Sequence, residues 1–183
     1  IFDGKIVRGM NYTAGEVGHM VVKIGGPRCN CGKSGCLEAI AGKVGIINYI
    51  TKLVDKRSEK TLLSEVCPDW RKSVGSSALS KCFIKSDKVV VSALTRSAKA
   101  LGIAAANIIN LLGVEAILLG GGLIEELGDV LIPIIKDYMV EYSMANGAKG
   151  VEILKSSLGD DAVALGAAYH VKLPENAKYL YKG

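Results

Sequence analysis

Three cysteines fall within eight residues, Cys29-Asn30-Cys31-Gly32-Lys33-Ser34-Gly35-Cys36, and this clustering constrains the chain more than any other feature. A disulfide between residues two apart is geometrically strained, and any pairing among three thiols leaves one over. Thiolates so close together call for a cation. A structural zinc site takes four ligands in a tetrahedron, so the cysteines supply three and a fourth must come from nearby. His19, one of two histidines in the chain, is the nearest candidate. Gly32 and Gly35 allow the loop to wrap a metal closely. The reading is therefore a Cys₃His zinc site on His19, Cys29, Cys31 and Cys36, with free buried thiols as the alternative. Such a centre carries about one net negative charge, which Lys23, Arg28 and Lys33 can offset. Cys67 and Cys82 stand alone and read as small apolar residues.

Two carboxylates flank the cluster. Glu16 precedes His19 by three residues and Glu38 follows Cys36 by two, so a metal would draw both into one neighbourhood. A lone Glu near a turn is usually a surface or capping residue. Carboxylates and an imidazole held rigidly together suit recognition of adjacent hydroxyls, as on a sugar ring.

Around this loop the 183 residues suffice for one large domain or one lobe of a two-lobed protein. Hydrophobic residues make up 49% and aromatic ones only 5%, so Ile, Leu, Val and Ala must build the core. Ile1 to Val7 reads as a hairpin with an Asp3-Gly4 turn, although only two residues precede the turn. Gly18 to Ile24 reads as a short strand. Helix is expected from Leu37, broken near Gly42 and Gly45 and continuing through Ile46, Ile47, Ile50, Leu53 and Val54. Residues 58–86, with Pro68, Trp70 and a Gly-Ser-Ser stretch, read as short peripheral helices and loops. From Asp87 to Leu112 the pattern is helical, with Val90, Leu94, Leu101, Ile108 and Leu112 expected inside. Asn107 and Asn110 on that helix are expected to be hydrogen-bonded. A strand at Val114–Leu119 precedes Gly120-Gly121-Gly122 and a helix from about Ile124 to Tyr142. Another strand at Val151–Leu154 leads to a helix at Ala162–His170, capped by Asp160 or Asp161. His170 reads as a residue of that helix's C-terminal end, and Lys178 to Gly183 as a frayed tail. The alternation predicts an α/β lobe.

A strand running into three glycines and a helix N-terminus lets backbone N–H groups approach a phosphate, although glycines there can equally serve close packing. No run of about 18 unbroken apolar residues marks a membrane helix, and no signal segment opens the chain; a cytoplasmic protein is expected. The net charge of +5 is scattered, and groupings such as Lys52, Lys56, Arg57 and Lys60 read as a solvated helix face.

Gly15-Glu16-Val17-Gly18-His19, followed by Cys29-x-Cys31-Gly32-x-x-Gly35-Cys36-Leu37-Glu38, resembles the signature of the ROK family of sugar kinases and sugar-responsive repressors. The Gly120–Gly122 turn and Leu158-Gly159-Asp160-Asp161-Ala162 through Gly166-Ala167-Ala168 are similar to its later segments. The resemblance implies an actin-like ATPase (ribonuclease H-like) lobe, residues 1–183 being the C-terminal half of a two-lobed sugar kinase. Residues 15–38 would form its zinc and sugar loop, 58–86 peripheral helices, and 87–170 the nucleotide-side core. It implies zinc on His19, Cys29, Cys31 and Cys36, sugar contacts from Glu16, His19 and Glu38, and adenosine-side contacts from Gly120, Gly121 and Gly122. The expected function is ATP- and Mg²⁺-dependent phosphorylation of a hexose by a homodimer, in the manner of a glucokinase. The catalytic aspartate and phosphate loops would precede Ile1, leaving no catalytic residue here. The other member type implied is a sugar-sensing repressor with an upstream helix-turn-helix domain, the one case in which nucleic acid is a partner.

Overall fold

The computed structural model describes residues 1 and 4–172. The expected hairpin rests on Phe2 and Asp3, and with the expected tail it lies outside the described residues.

The long helix is the axis of the fold. Asp87 caps helix α5 (Lys88–Leu112) by accepting hydrogen bonds from the backbone of Val89 (3.0 Å) and Val90 (2.9 Å). The same buried carboxylate accepts from the Thr61 hydroxyl (2.9 Å) and from the Leu62 backbone, so one acid starts the helix and ties down the preceding segment. Gly113, in the left-handed region at φ 60°, ends it. Val89, Val90, Leu94, Ala98, Ala105 and Ile109 of α5 enter the main core. By length and composition α5 could cross a membrane, but it is the core helix of this fold. The expected apolar stripe drifts at its end: Ile109 is buried, Ile108 is partly exposed and Leu112 is exposed. Ile109 remains in the core that α5 shares with its partner helix, whereas Leu112 lies outside that core.

That partner is helix α6 (Gly122–Tyr142), which packs along α5 with Leu127, Leu131, Ile135 and Met139 inside. A Cβ on Gly102 would lie 2.5 Å from the Tyr138 Cβ and 2.7 Å from the Ile135 carbonyl, so the two backbones meet where only glycine fits. Asn110 accepts from the Met144 backbone (2.9 Å) at the exposed edge of the pair; among the described residues no side-chain hydrogen bond to Asn107 is seen.

Strands β1 (Ala116–Leu119) and β2 (Glu152–Lys155) pair in parallel, Ile117 opposite Ile153, with α6 as the crossover. The last helix, α7 (Ala162–Lys172), follows a 3₁₀ turn over Gly159–Asp161. His170 there lies 3.4 Å from the Arg8 guanidinium.

On the other side, helix α1 (Glu38–Ala41) breaks at Gly42 and helix α2 (Lys43–Arg57) follows. The expected second break at Gly45 does not occur, because the residue serves contact: a Cβ there would stand 2.5 Å from the Ala39 carbonyl. Helices α3 (Leu63–Val66) and α4 (Ser76–Ile84) are short, as expected, yet their segment is not peripheral. Leu63, Trp70, Val74, Leu79 and Cys82 are buried in the main core, hidden in the sequence by the polar residues between them. The run Gly18–Ile24 does not form a strand. A 3₁₀ turn takes Val17–His19, and the remainder makes one antiparallel bridge, Val21 to Cys36.

Candidate functional site

The cysteine loop is shaped by backbone hydrogen bonds rather than by a core. Cys29 N–H donates to the Lys33 carbonyl (2.8 Å), Gly32 N–H to that of Cys29 (3.0 Å) and Gly35 N–H to that of Pro27 (2.8 Å). Gly35, at φ 84°, also accepts from Val22 and Lys23, and a Cβ there would lie 1.9 Å from the Lys23 carbonyl. Leu37 N–H reaches the Met20 carbonyl (2.9 Å), bringing the 3₁₀ turn that carries His19 over the loop. Val17, Val22, Leu37 and Ile40 then seat this assembly on Ala100 and Ala104 of α5.

As a result the ligand atoms of His19, Cys29, Cys31 and Cys36 all lie within 4.8 Å of one another. The Cys31 and Cys36 sulfurs are 3.7 Å apart, and Cys29 Sγ is 3.8 Å from His19 Nδ1. Tetrahedral zinc with Zn–S bonds of about 2.3 Å sets its sulfurs about 3.8 Å apart, so the donor set fits that ion. Burial and the neighbouring thiols push the Cys36 thiol up to about 11, whereas the Lys33 backbone N–H and the Cys29 thiol hold that of Cys31 below its usual value. Three thiolates so placed repel one another unless a cation stands between them.

Both carboxylates expected beside the metal are there. Glu38 Oε2 lies 3.6 Å from His19 Nδ1 and accepts from the Cys29 thiol at 3.6 Å; Glu16 Oε2 lies 3.9 Å from His19 Nε2. Their side chains are more than half exposed, so their oxygens are open to a ligand's hydroxyls. Beside them a small cavity of ≈ 190 Å³ is lined by Asn30, Glu38, Lys43 and Asn48.

The glycine turn forms a second locus. Gly121 caps α6 with φ 95°, leaving the helix N-terminus without a capping side chain. Gly120, Gly121 and Gly122 line a cavity of ≈ 400 Å³ with Gly75, Ser76 and Lys43. A Cβ on Gly122 would stand 2.7 Å from Ser76 Oγ, so the start of α4 faces the turn. Sequence reasoning missed Ser76 and Lys43. The Gly75-Ser76-Ser77 helix start was the available signal for the first, while a lysine at the first position of α2 carries none. Lys43 lines both cavities, the one beside Glu38 and the one at the glycine turn.

Known proteins resemble the chain along nearly its whole length. The family model of the ROK family matches residues 1–173. The glucokinase of Halalkalibacterium halodurans is 35% identical over 97% of this chain and 53% of that protein. The xylose repressor of Caldicellulosiruptor bescii is 28% identical over 91% of this chain and 41% of the repressor. The crystal structure of a ROK family glucokinase from Streptomyces griseus, in complex with glucose and AMPPNP, superposes with a TM-score of 0.74 at 23% identity. It covers 91% of this chain and 54% of that one. The chain thus spans about half the length of these kinases, and the likeness places it in the actin-like ATPase fold of ROK sugar kinases.

Proposed function

The chain belongs to the ROK family, and from that premise we propose that it supplies the zinc, sugar and adenosine-side elements of an ATP-dependent hexose kinase. The convergence of His19, Cys29, Cys31 and Cys36 with Glu16 and Glu38 against them carries this reading. Those four ligands would hold zinc, which when bound fixes the loop and takes no part in phosphoryl transfer. His19 Nδ1 is the nitrogen turned toward the thiols, leaving Nε2 as an N–H donor of fixed direction beside Glu16. Glu16 and Glu38 accept hydrogen bonds from neighbouring sugar hydroxyls. The nucleotide lies over Gly120–Gly122, where the α6 N-terminus favours an anion. Lys43, lining the cavities on both sides, offers positive charge between sugar and nucleotide.

Residues 1–183 act here as the C-terminal lobe of a two-lobed, homodimeric, cytoplasmic enzyme. The general base for the attacking hydroxyl and the Mg²⁺ and phosphate contacts belong to the other lobe. The test compares this chain with the whole gene product in a coupled ADP-release assay on glucose. The whole protein turns over and the chain alone does not; turnover by the chain would place the base on the wrong lobe. Similarity to a xylose repressor supports a second reading, in which the same lobe senses a sugar for an upstream helix-turn-helix domain. Sugar-dependent DNA binding without ADP release by the whole protein would establish that reading instead.

A further inference from the structure

Glu38 occupies the first position of α1, and α1 has only four residues, too few to hold a helical geometry unaided. What fixes it decides where the carboxylate points. Two of its carbonyls are closed locally: that of Leu37 accepts from Ile40 N–H (2.9 Å) and Ala41 N–H (2.7 Å), and that of Glu38 from Gly42 N–H (2.9 Å). The Ile40 carbonyl is taken by α5. Arg96 Nη1 donates to it at 3.3 Å, and the Ser97 hydroxyl, 3.0 Å from the Ala93 carbonyl one turn back, lies 3.3 Å from it as well.

Arg96 is partly buried. Burial lowers the pKa of its guanidinium, and no carboxylate pairs with it among the described residues. Its contacts are the Ile40 carbonyl and the face of the Tyr49 ring on α2, 4.6 Å away. A cation at the C-terminal end of α1 is favoured by the carbonyls gathered there, and the planar fork can bond one of them while stacking on the ring. One side chain thereby joins α1, α2 and α5 behind the carboxylate.

We infer that Arg96, with Ser97, is a positioning residue for sugar recognition, holding α1 so that Glu38 presents its carboxylate beside His19. The inference rests on the reading of Glu38 as a sugar contact. It predicts a defect that falls first on sugar, because both side chains reach the Ile40 carbonyl of α1; Ser97 also lines the cavity at the glycine turn, and Arg96 does not.

The experiment uses the whole gene product, titrated calorimetrically with glucose, xylose, N-acetylmannosamine and an ATP analogue, with zinc content measured on each variant. The sugar that the parent binds tightest serves as probe. Arg96→Met should raise the sugar Kd roughly tenfold, the scale of a lost orienting contact. Arg96→Lys, which keeps the charge but not the fork or the stacking, should recover part of that, and Ser97→Ala should give a smaller rise. In the Arg96 variants, zinc content and nucleotide Kd should stay within about twofold of the parent, the spread expected for independent sites. An unchanged sugar Kd in Arg96→Met, while Glu38→Gln loses sugar, overturns the positioning role alone. Sugar and nucleotide affinity falling together would show general loosening and overturn it equally. If Arg96→Met does not fold, Arg96→Lys decides by the same criterion. Retention of sugar by Glu38→Gln, or a parent that binds none of the three sugars, removes the sugar-site reading beneath the inference.

Discussion

Residues 15–38 and the α5–α6 pair meet across the alanine face of α5, yet they hold their shapes by different means. The helical pair buries Leu94, Ala98, Leu127, Leu131 and Ile135 and fixes its crossing at Gly102. The loop buries only Cys29, Gly35, Cys36 and Leu37, with one 3₁₀ turn and two isolated bridges for regular structure. Apolar burial of roughly 25 cal/mol per Å² can hold the first. The second lacks the area and has a donor set in its place. Removing the metal should therefore separate them: chelation of one zinc per chain should free the thiols of residues 29–36 to alkylation while the far-UV helical signal persists. Cys31→Ser/Cys36→Ser should lose zinc altogether, and Cys67→Ser should not. Loss of helical signal together with the metal would show that the loop and the core fold as one unit.

The next largest effect lies on the core side. Leu94 is fully buried, and Leu94→Ala should cost about 2–5 kcal/mol of unfolding free energy in a denaturant titration, as cavity-forming changes do. The folded fraction should keep its zinc. A drop in zinc stoichiometry in the folded variant would mean that α5 transmits core packing to the loop through Ala100 and Ala104.

The same contrast governs what the sequence could disclose. The cluster of His19, Cys29, Cys31 and Cys36 was legible because its spacing is short: one imidazole and three thiols, which the fold brings within 4.8 Å of one another. The long helix was legible from its period, and the β1–turn–α6 unit from its glycines. What escaped depends on contacts between distant segments. Gly18–Ile24 has strand-like residues, but the cysteine loop supplies it with a single bridging partner. Residues 58–86 look irregular, yet Trp70 and Val74 are buried in the core that α5 and α6 share, a contact no local pattern reveals. Ser76 faces the glycine turn, and Arg96 the Ile40 carbonyl, only after folding.

A smaller change, still on the loop, tests what the metal assembly is for. In the whole protein, Glu38→Gln should leave zinc in place and weaken sugar binding by about 1.5–3 kcal/mol, the range for a hydrogen bond to a charged acceptor. The nucleotide affinity should be unchanged. Equal sugar affinity would reduce Glu38 to a helix-start residue, and the comparison would then concern stability alone.

The smallest expected effect lies at the far end of α5. Apolar periodicity places Leu112 in line with the buried stripe, but its side chain is 59% exposed, whereas Ile109, one turn earlier, is buried. Burial and not residue type sets the cost of a change, so the two should diverge sharply. Leu112→Gln keeps a good helix former in the last turn and removes no packed contact, so it should shift stability by no more than about 0.5 kcal/mol. Ile109→Ala, which opens a cavity beneath the helix, should cost about 2–5 kcal/mol. Denaturant midpoints of both variants, measured at two protein concentrations, give the comparison directly. A Leu112→Gln penalty near that of Ile109→Ala would mean that the end of α5 is covered in solution. If that penalty grew with protein concentration, a second copy of the chain would be the cover, and the hydrophobic half of the contrast would extend beyond the core seen here.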